Sequence, residues 1–135
     1  MPKSQPLTSR PKIRVLVADD HKIMRQGLVC ILNEEPDMEV VGEACDGQQT
    51  VALACDLKPD VVIMDVTMPG VSGVEATRTI RRQLPQTQIV ALSVHDPAHK
   101  GVAMRDAGAA AYVYKGRPIE DLLAAIREAV AGPKP

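Results

Sequence analysis

The sequence predicts an α/β fold in which five strand–helix units, (βα)5, form a doubly wound, open parallel sheet. Three observations support this prediction. Short apolar segments alternate five times with segments of helical periodicity, the connections between them are short, and several helical segments open on capping residues. Five units are too few to close a barrel, so right-handed crossovers are expected to place helices on both faces of an open sheet.

Five segments have the composition of β-strands. They are Ile13–Ala18, Met38–Ala44, Val61–Met64, Ile89–Ser93 and Ala110–Tyr114. Four of them are short and nearly continuous in apolar residues, which is typical of strands covered on both faces. The second segment, MEVVGEA, alternates more strongly and is predicted to lie at an edge of the sheet.

The segments between the strands carry apolar residues at helical spacing. The last one has the clearest pattern, i, i+3, i+4, i+7 and i+11, formed by Ile119, Leu122, Leu123, Ile126 and Val130. Start signals agree with this periodicity. Ser72 to Glu75 forms a capping box, and Asp96 followed by Pro97 offers an N-cap with proline at the first helical position.

Composition limits the classes of function. The 135 residues suffice for one domain, and 16 basic against 17 acidic residues give a net charge of -1, so this domain is not expected to bind nucleic acid. No apolar run approaches the roughly 18 residues of a membrane span, and the N-terminus lacks a signal-peptide core. Cys30, Cys45 and Cys55 show no ligand spacing, which predicts free thiols in the cytoplasm and no zinc site.

The ends of the chain differ from its centre. Residues 1–11 carry three prolines among polar residues and are predicted to be a disordered leader. Residues 12–132 are expected to form the domain, and residues 133–135 to begin a linker or tail. We expect the chain to be a piece of a longer protein, with a stand-alone domain as the alternative.

Charged and hydroxyl side chains follow four of the predicted strands. Asp19 and Asp20 follow the first strand, Asp65 follows the third, Ser93 ends the fourth and Lys115 follows the fifth. Each residue by itself suits a turn, a cap or a solvated surface. Ligands of open α/β sheets bind beyond the carboxyl ends of the strands, however, and the joint placement at four such ends predicts a functional site there.

Three carboxylates at one sheet edge would repel one another. Two unit charges about 4 Å apart cost about 4 kcal/mol at an effective dielectric constant near 20. A proton or a cation must relieve this repulsion, and hard oxygen ligands favour Mg²⁺. A metal ion and a lysine around one carboxylate, with a hydroxyl opposite, suit phosphoryl transfer. The hypothesis is that Asp65 is a nucleophile that takes up a phosphoryl group as an acyl phosphate.

Four motifs in this chain together resemble one known family. The motifs are VLVADDH, VVIMDVTMPGVSG, ALSVHD and GAAAYVYKG, and the chain resembles, from about Lys12 to Gly132, the receiver domain of two-component response regulators. DDHKIMRQGLVCIL and IEDLLAAIREAVAG are similar to the NarL/FixJ subclass, whose members usually append a LuxR-type helix-turn-helix. The resemblance implies a flavodoxin/CheY-like sheet with strand order 2-1-3-4-5.

The resemblance also implies a role for each residue of the metal site. Asp65 matches the phosphoacceptor, Asp20 the acid that binds Mg²⁺ directly, and Asp19 the neighbour that acts mostly through water. The backbone carbonyl of Thr67 would complete the protein's share of the metal shell. His21 is better explained as a cap or surface residue at the start of the first helix than as a ligand.

Further positions match the switch of the family. Ser93 matches the switch hydroxyl, Lys115 the phosphate-binding lysine, and Tyr112 the aromatic residue that swings inward when the hydroxyl moves. Thr67 and His95 occupy positions that tune dephosphorylation, although ordinary loop residues explain them equally well. Gly116 stands where many receivers have proline, which leaves the preceding peptide bond open between cis and trans.

The function implied is a phosphorylation-controlled switch whose donor is a sensor histidine kinase. It would catalyse its own phosphorylation and dephosphorylation without a turnover substrate, in a bacterial cytoplasm, and would contact DNA only through a C-terminal domain beyond this chain. A homodimer through the first and last helices or the last strand region is a further expectation. Two alternatives stay open: a receiver-like interaction module that carries no phosphate, and an aspartate-nucleophile phosphatase, whose usual second acid is replaced by Thr67.

Overall fold

The computed structural model describes residues 11–66, 68, 72–93 and 97–131, apart from the side chains of 97–100. Five strands and five helices alternate along the described chain. They are β1 (Ile13–Ala18), α1 (Lys22–Glu34), β2 (Met38–Ala44), α2 (Gly47–Leu57), β3 (Val61–Asp65), α3 (Gly73–Gln83), β4 (Gln88–Ser93), α4 (Pro97–Ala107), β5 (Ala111–Tyr114) and α5 (Ile119–Ala131). The strands are parallel and lie in the order β2-β1-β3-β4-β5, which confirms the predicted fold.

The predicted strands agree with the observed ones to within one residue. β1 and β2 have the predicted bounds, and β2 lies at an edge of the sheet as expected. β4 begins one residue earlier and β5 one residue later than predicted. β3 extends by one residue to include Asp65, because Asp65 is in register with Leu92 of β4. The carboxylate therefore belongs to the strand itself rather than to the loop after it.

Two apolar layers cover the faces of the sheet. Side chains alternate along β3, so that Val61 and Ile63 join the layer beneath α1 and α5, while Val62 and Met64 join the layer beneath α2, α3 and α4. All five residues of β3 are buried. The chain has no Phe and no Trp, so aliphatic side chains and methionines fill both layers.

Local signals in the sequence explain where several helices begin. The Ser72 hydroxyl accepts a hydrogen bond of 3.2 Å from the backbone N–H of Glu75, so the predicted cap of α3 is confirmed. Asp46 caps α2 in the same way, with 2.7 Å to the N–H of Gln49. α4 begins at Pro97 as predicted, while its expected cap, Asp96, lies outside the described residues.

Other expectations have simpler outcomes. Among the described residues, no helix is both long and apolar enough to cross a bilayer. Every described peptide bond is trans, including the bond between Lys115 and Gly116. The three cysteines are free thiols. The leader and the tail fall almost entirely outside the described residues, because the description starts at residue 11 and ends at residue 131.

Candidate phosphoryl-transfer site

The predicted site residues stand at one edge of the sheet because the strands that carry them are parallel. β1 delivers Asp19, whose backbone N–H donates a 3.0 Å hydrogen bond to the carbonyl of Ala44. β3 ends on Asp65 and β4 ends on Ser93. The N–H of Lys115 donates a 2.8 Å hydrogen bond to the Ser93 carbonyl, which continues the β4–β5 pairing by one residue. Backbone pairing therefore fixes the relative positions of these residues.

The structure brings Asp19, Asp20 and Asp65 together. One carboxylate oxygen of each, together with a ring nitrogen of His21, lies within 4.8 Å of all the others. The side chains of Asp19 and Asp65 are only 1% and 2% exposed, whereas that of Asp20 is 29% exposed. Two of the carboxylates are thus buried, and the third is partly exposed to solvent.

Lys115 supplies positive charge to this cluster. Its Nζ lies 3.3 Å from Oδ2 of Asp19 and 3.9 Å from Oδ2 of Asp65, and its side chain is 9% exposed. The longer distance exceeds that of a hydrogen bond, so the Lys115–Asp65 contact is electrostatic. One ammonium against three carboxylates leaves an excess of negative charge. Such a cluster favours a further cation with oxygen ligands.

Arg25 holds the β1–α1 connection in place. This role was not predicted from the sequence. Its Nη1 donates a 2.8 Å hydrogen bond to the backbone carbonyl of Asp19, and its Nε lies 2.9 Å from Oε1 of Glu43. The side chain of Arg25 is 16% exposed. The position of Arg25 near the start of α1 is readable from sequence, but its pairing with the end of β2 depends on how the helix packs.

The start of α3 fits closely against the end of β3 because residue 73 is a glycine. A Cβ on Gly73 would lie 2.8 Å from the carbonyl oxygen of Asp65 and 2.9 Å from Cα of Val66. Real Cβ atoms do not approach backbone this closely. Gly73 therefore permits the helix to begin directly beside Asp65, which is a close-approach role for glycine.

The two switch candidates lie on β4 and β5. Ser93 is buried, at 1% exposure. Tyr112 is in register with Ala91 and is partly buried against the apolar layer beneath α2, α3 and α4. Tyr114 is 43% exposed, and a Cβ on Gly116 would lie 2.7 Å from its ring. Thr67 and His95, the two other candidate residues, lie outside the described residues.

His21 is an exposed residue at the start of α1, as expected, and its ring also contacts two carboxylates. It occupies the N-cap position of α1, but its side chain makes no capping hydrogen bond. Its Nδ1 instead lies 3.3 Å from Oδ1 of Asp19 and 3.3 Å from Oδ1 of Asp20. The ring is 69% exposed and belongs to the acid cluster. Because His21 directly follows Asp20 in the sequence, this adjacency could have indicated that its ring lies near the acids.

An apolar groove of about 770 Å³ borders the acid cluster. It runs between α1 and the β5–α5 region, and both His21 and Lys115 line it. Three α1 side chains in the groove are large, apolar and exposed: Ile23 at 87%, Met24 at 41% and Ile31 at 37%. An apolar surface therefore lies directly beside the charged site.

The sequence of this chain is similar to those of known proteins. Residues 15–127 match the family model described as the response regulator receiver domain. The response regulator GacA of Pseudomonas aeruginosa is 42% identical over 120 residues, which cover 89% of this chain and 56% of GacA. The transcriptional regulatory protein LiaR of Bacillus subtilis is also 42% identical over 120 residues, covering 89% of this chain and 57% of LiaR. The chain thus spans a little over half the length of these relatives.

Solved structures show the same fold. A two-component response regulator of the LuxR family from Aurantimonas sp. SI85-9A1 superposes with a TM-score of 0.86 at 34% identity, covering 91% of this chain and 88% of that one. The signal receiver domain of NarL from Mycobacterium tuberculosis gives a TM-score of 0.86 at 32% identity, covering 92% of this chain and 100% of that one.

Proposed function

This chain belongs to the response regulator receiver domain family of two-component systems, and we propose that Asp65 is the residue at which it accepts a phosphoryl group. One observation carries this proposal. The Asp65 carboxylate is 2% exposed, ends the central strand β3, and lies beside two further carboxylates and the ammonium of Lys115. The family is one of signalling domains rather than turnover enzymes, so the chemistry proposed is self-modification.

We propose that Mg²⁺ binds at the acid cluster. Opposite corners of an octahedral Mg²⁺ shell are about 4 Å apart, and the candidate ligand atoms all lie within 4.8 Å of one another, so the donor set fits the ion. Asp20 and Asp65 are the expected direct ligands, Asp19 acts through water, and the Thr67 carbonyl completes the set. When bound, Mg²⁺ supplies positive charge that offsets the carboxylates and the incoming phosphoryl oxygens.

The reaction proposed is transfer from a phosphohistidine. An Asp65 carboxylate oxygen attacks phosphorus and forms an O–P bond while the P–N bond to the donor imidazole breaks. The electron pair of that bond stays on the imidazole nitrogen, which then takes up a proton. Lys115, now 3.9 Å from Asp65 Oδ2, gains a stronger partner in the phosphoryl oxygens. Hydrolysis of the acyl phosphate by water resets the domain, with Thr67 and His95 as candidates that set its rate.

Phosphorylation changes the surface formed by β4, α4 and β5. The phosphoryl group carries about two negative charges, one more than the carboxylate it modifies, and lies beside the end of β4, where the Ser93 hydroxyl is buried. We propose that this hydroxyl moves toward the phosphoryl group and leaves space beneath β4. Tyr112, in register with Ala91 on β4, is the aromatic side chain that would fill that space. The altered surface is the signal that a partner detects.

A sensor histidine kinase is the proposed phosphodonor, and the apolar groove is the proposed place at which it docks. The groove is lined by Lys115 and His21, so a helix that lies along α1 would bring a phosphohistidine to the acid cluster. Exposed Ile23, Met24 and Ile31 give such a helix an apolar surface to bury. A second copy of this chain on the same face is the competing occupant.

The output proposed is control of transcription, in a bacterial cytoplasm. The relatives GacA and LiaR are named as a response regulator and a transcriptional regulatory protein, and this chain spans only part of each. A DNA-binding domain that follows residue 135 in the natural protein is therefore part of the proposal, with residues 12–132 as the receiver. The net charge of -1 gives no electrostatic reason to expect that the receiver itself binds DNA.

The test is chemical phosphorylation with acetyl phosphate. With Mg²⁺ present, the intact mass of the wild-type chain should increase by one phosphoryl group, and it should not increase with EDTA. Asp65→Asn should gain none, while Asp56→Asn, an exposed acid on α2, should behave as wild type. Absence of any gain would indicate an interaction module that carries no phosphate, and steady phosphate release from a small phosphoester would instead indicate a phosphatase.

A further inference from the structure

The acid cluster contains a nitrogen donor as well as carboxylates. His21 offers a ring nitrogen within 4.8 Å of oxygens from Asp19, Asp20 and Asp65. An all-oxygen site suits Mg²⁺, whereas imidazole suits the later divalent ions of the first transition row. The identity of the donors therefore bears on which metal ion the site prefers.

The ring nitrogen of His21 lies close to one carboxylate oxygen of each neighbouring acid. Nδ1 of His21 lies 3.3 Å from Oδ1 of Asp19 and 3.3 Å from Oδ1 of Asp20. Neighbouring ligands around an octahedral ion with bonds of about 2.1 Å are separated by about 3 Å. The contact with Asp19 is a long hydrogen bond whose donor depends on the tautomer of the ring. The nitrogen thus stands at the spacing of a corner next to Asp20, which is the expected direct ligand, whereas Asp19 is expected to act through water.

The backbone fixes His21 at this position while its ring stays free to adjust. The N–H of His21 donates a 2.9 Å hydrogen bond to Oδ1 of Asp19, and its carbonyl accepts a 2.8 Å bond from the N–H of Arg25 in α1. The ring is 69% exposed and caps no helical N–H, so a small rotation toward an ion disturbs its hydrogen bond to Asp19 but no cap.

We propose that His21 is a ligand of the metal site through Nδ1, and that it shifts the preference of this site from Mg²⁺ toward Co²⁺ and Mn²⁺. This inference rests on the metal site proposed above. Mg²⁺ gains little from exchanging a water for an imidazole, whereas Co²⁺ gains substantially, with Mn²⁺ between the two. The effect of His21 should therefore appear as a difference between ions rather than as a uniform change.

Calorimetric titration of the full chain with Mg²⁺, Mn²⁺ and Co²⁺ tests the proposal. The variants are His21→Phe, which keeps a ring but removes the nitrogen, and Ile23→Ala, a control in the same turn whose side chain is 87% exposed. In His21→Phe, Co²⁺ affinity should fall by at least about tenfold and Mg²⁺ affinity by less than about threefold. Ile23→Ala should bind all three ions as wild type does.

A second measurement separates ligation from a role in holding the carboxylates. In ¹H–¹⁵N spectra of the imidazole side chains, saturating Co²⁺ should give the ring N–H of His21 a large contact shift, which requires a direct bond between the metal and the ring. Equal losses of Mg²⁺ and Co²⁺ affinity in His21→Phe would overturn the proposal, as would unchanged affinities for both. If the wild type binds none of the ions, the metal site itself is refuted. If the wild type binds Mg²⁺ but His21→Phe leaves the ratio of Co²⁺ to Mg²⁺ affinity unchanged, only the role of His21 is refuted.

Discussion

Single residues decide how much charge the site can carry. Asp19 and Asp65 are buried carboxylates that share the ammonium of Lys115, at 3.3 Å and 3.9 Å, and Asp20 adds a third negative charge to the cluster. A buried charge is costly unless an opposite charge or a metal ion compensates it. The site is therefore under electrostatic strain whenever it lacks a cation, and this strain is available to drive cation binding.

Removal of one carboxylate should make the metal-free domain more stable. We expect Asp65→Asn to raise the free energy of unfolding in EDTA by about 1–3 kcal/mol, because like-charge repulsion at about 4 Å is of this order after partial compensation by Lys115. Saturating Mg²⁺ should stabilise the wild type but not the variant. Urea unfolding followed by circular dichroism measures this, since the chain contains no Trp.

The control for that experiment is Asp56→Asn on the exposed face of α2, which should change stability by less than about 0.5 kcal/mol. If Asp65→Asn is less stable than the wild type in EDTA, the cluster is not repulsive. In that case another contact of Asp65 dominates its contribution to folding.

Gly73 should be intolerant of even a methyl group. Gly73→Ala places a Cβ 2.8 Å from the Asp65 carbonyl oxygen, so α3 or the end of β3 must shift. We expect a loss of about 1–3 kcal/mol in stability and slower phosphorylation by acetyl phosphate. Gly27→Ala in α1 is the matched control. It meets nothing within 4 Å and should gain about 0.5–1 kcal/mol from helix propensity.

Equal stability of the two alanine variants, measured in the same urea titration, would contradict the close approach of α3 to Asp65. If Gly73→Ala is stable and is phosphorylated at the normal rate, the close contact between α3 and the end of β3 does not position Asp65.

Among the secondary-structure elements, an ion-pair cluster ties α5 to the α1–β2 connection. Arg127 places Nε 2.8 Å from Oδ2 of Asp37 and Nη2 2.8 Å from Oε1 of Glu35. The hydrogen bond from Arg127 holds the pKa of Asp37 below its ordinary value of 3.8. The same two partners raise the pKa of Arg127. This ion-pair cluster lies apart from the acid cluster, and it links the first and last helices.

The contribution of this cluster should depend on pH. Because the folded-state pKa of Asp37 is lowered, its stabilisation is present above pH 3.8 and is lost as the pH falls through the folded-state pKa. Arg127→Gln should therefore cost about 1 kcal/mol or less at pH 7, since both side chains are partly exposed, and the cost should shrink below pH 4. Urea unfolding at several pH values measures the difference.

Arg117→Gln provides a comparison for Arg127→Gln. It removes an exposed pair with Asp121, four residues along, and should cost about 0.3–0.5 kcal/mol. A cost of Arg127→Gln that stays constant from pH 7 to pH 3 would mean that packing of the Arg127 stem, and not its ion pair with Asp37, provides the stabilisation.

For the whole molecule, chemistry and recognition should be separable. Ile23→Asp places a charge in the apolar groove, so phosphotransfer from a sensor kinase that serves the wild type should become at least about tenfold slower. Phosphorylation by acetyl phosphate should be unchanged, because that donor needs no docking surface. Val102→Asp on α4 is the control. It alters an apolar side chain that is 57% exposed but does not line the groove.

Equal transfer rates in Ile23→Asp and Val102→Asp would exclude the groove as the kinase surface. Loss of a concentration-dependent dimer in Ile23→Asp, with transfer intact, would assign the groove to a second copy of this chain.

The sequence was sufficient for the sheet and for the strand-end residues, because both depend on local patterns. Val61 to Met64 are apolar since both faces of β3 are covered, and a parallel sheet then necessarily brings Asp65 to the same edge as Lys115. The extension of β3 to Asp65 was missed because a charged residue hides the continued pairing with Leu92.

Contacts between distant side chains could not be predicted in this way. Arg25 meets Glu43 and Arg127 meets Asp37 only after α1 and α5 have packed on the sheet, and neither pair has a periodic signature in the sequence. The ring of His21 is a subtler case. Its neighbours in the sequence are the acids that it contacts, but the turn geometry that aims the nitrogen at both of them is not encoded in their spacing.

The most direct test of the central claim locates the phosphoryl group. The chain is phosphorylated with acetyl phosphate and Mg²⁺ and reduced with borohydride, which converts an aspartyl phosphate to homoserine, and the peptides are then sequenced by mass spectrometry. The account predicts homoserine at position 65 and none when Mg²⁺ is withheld. Homoserine at Asp19 or Asp20, or its absence from every position of a chain that binds Mg²⁺, would contradict it.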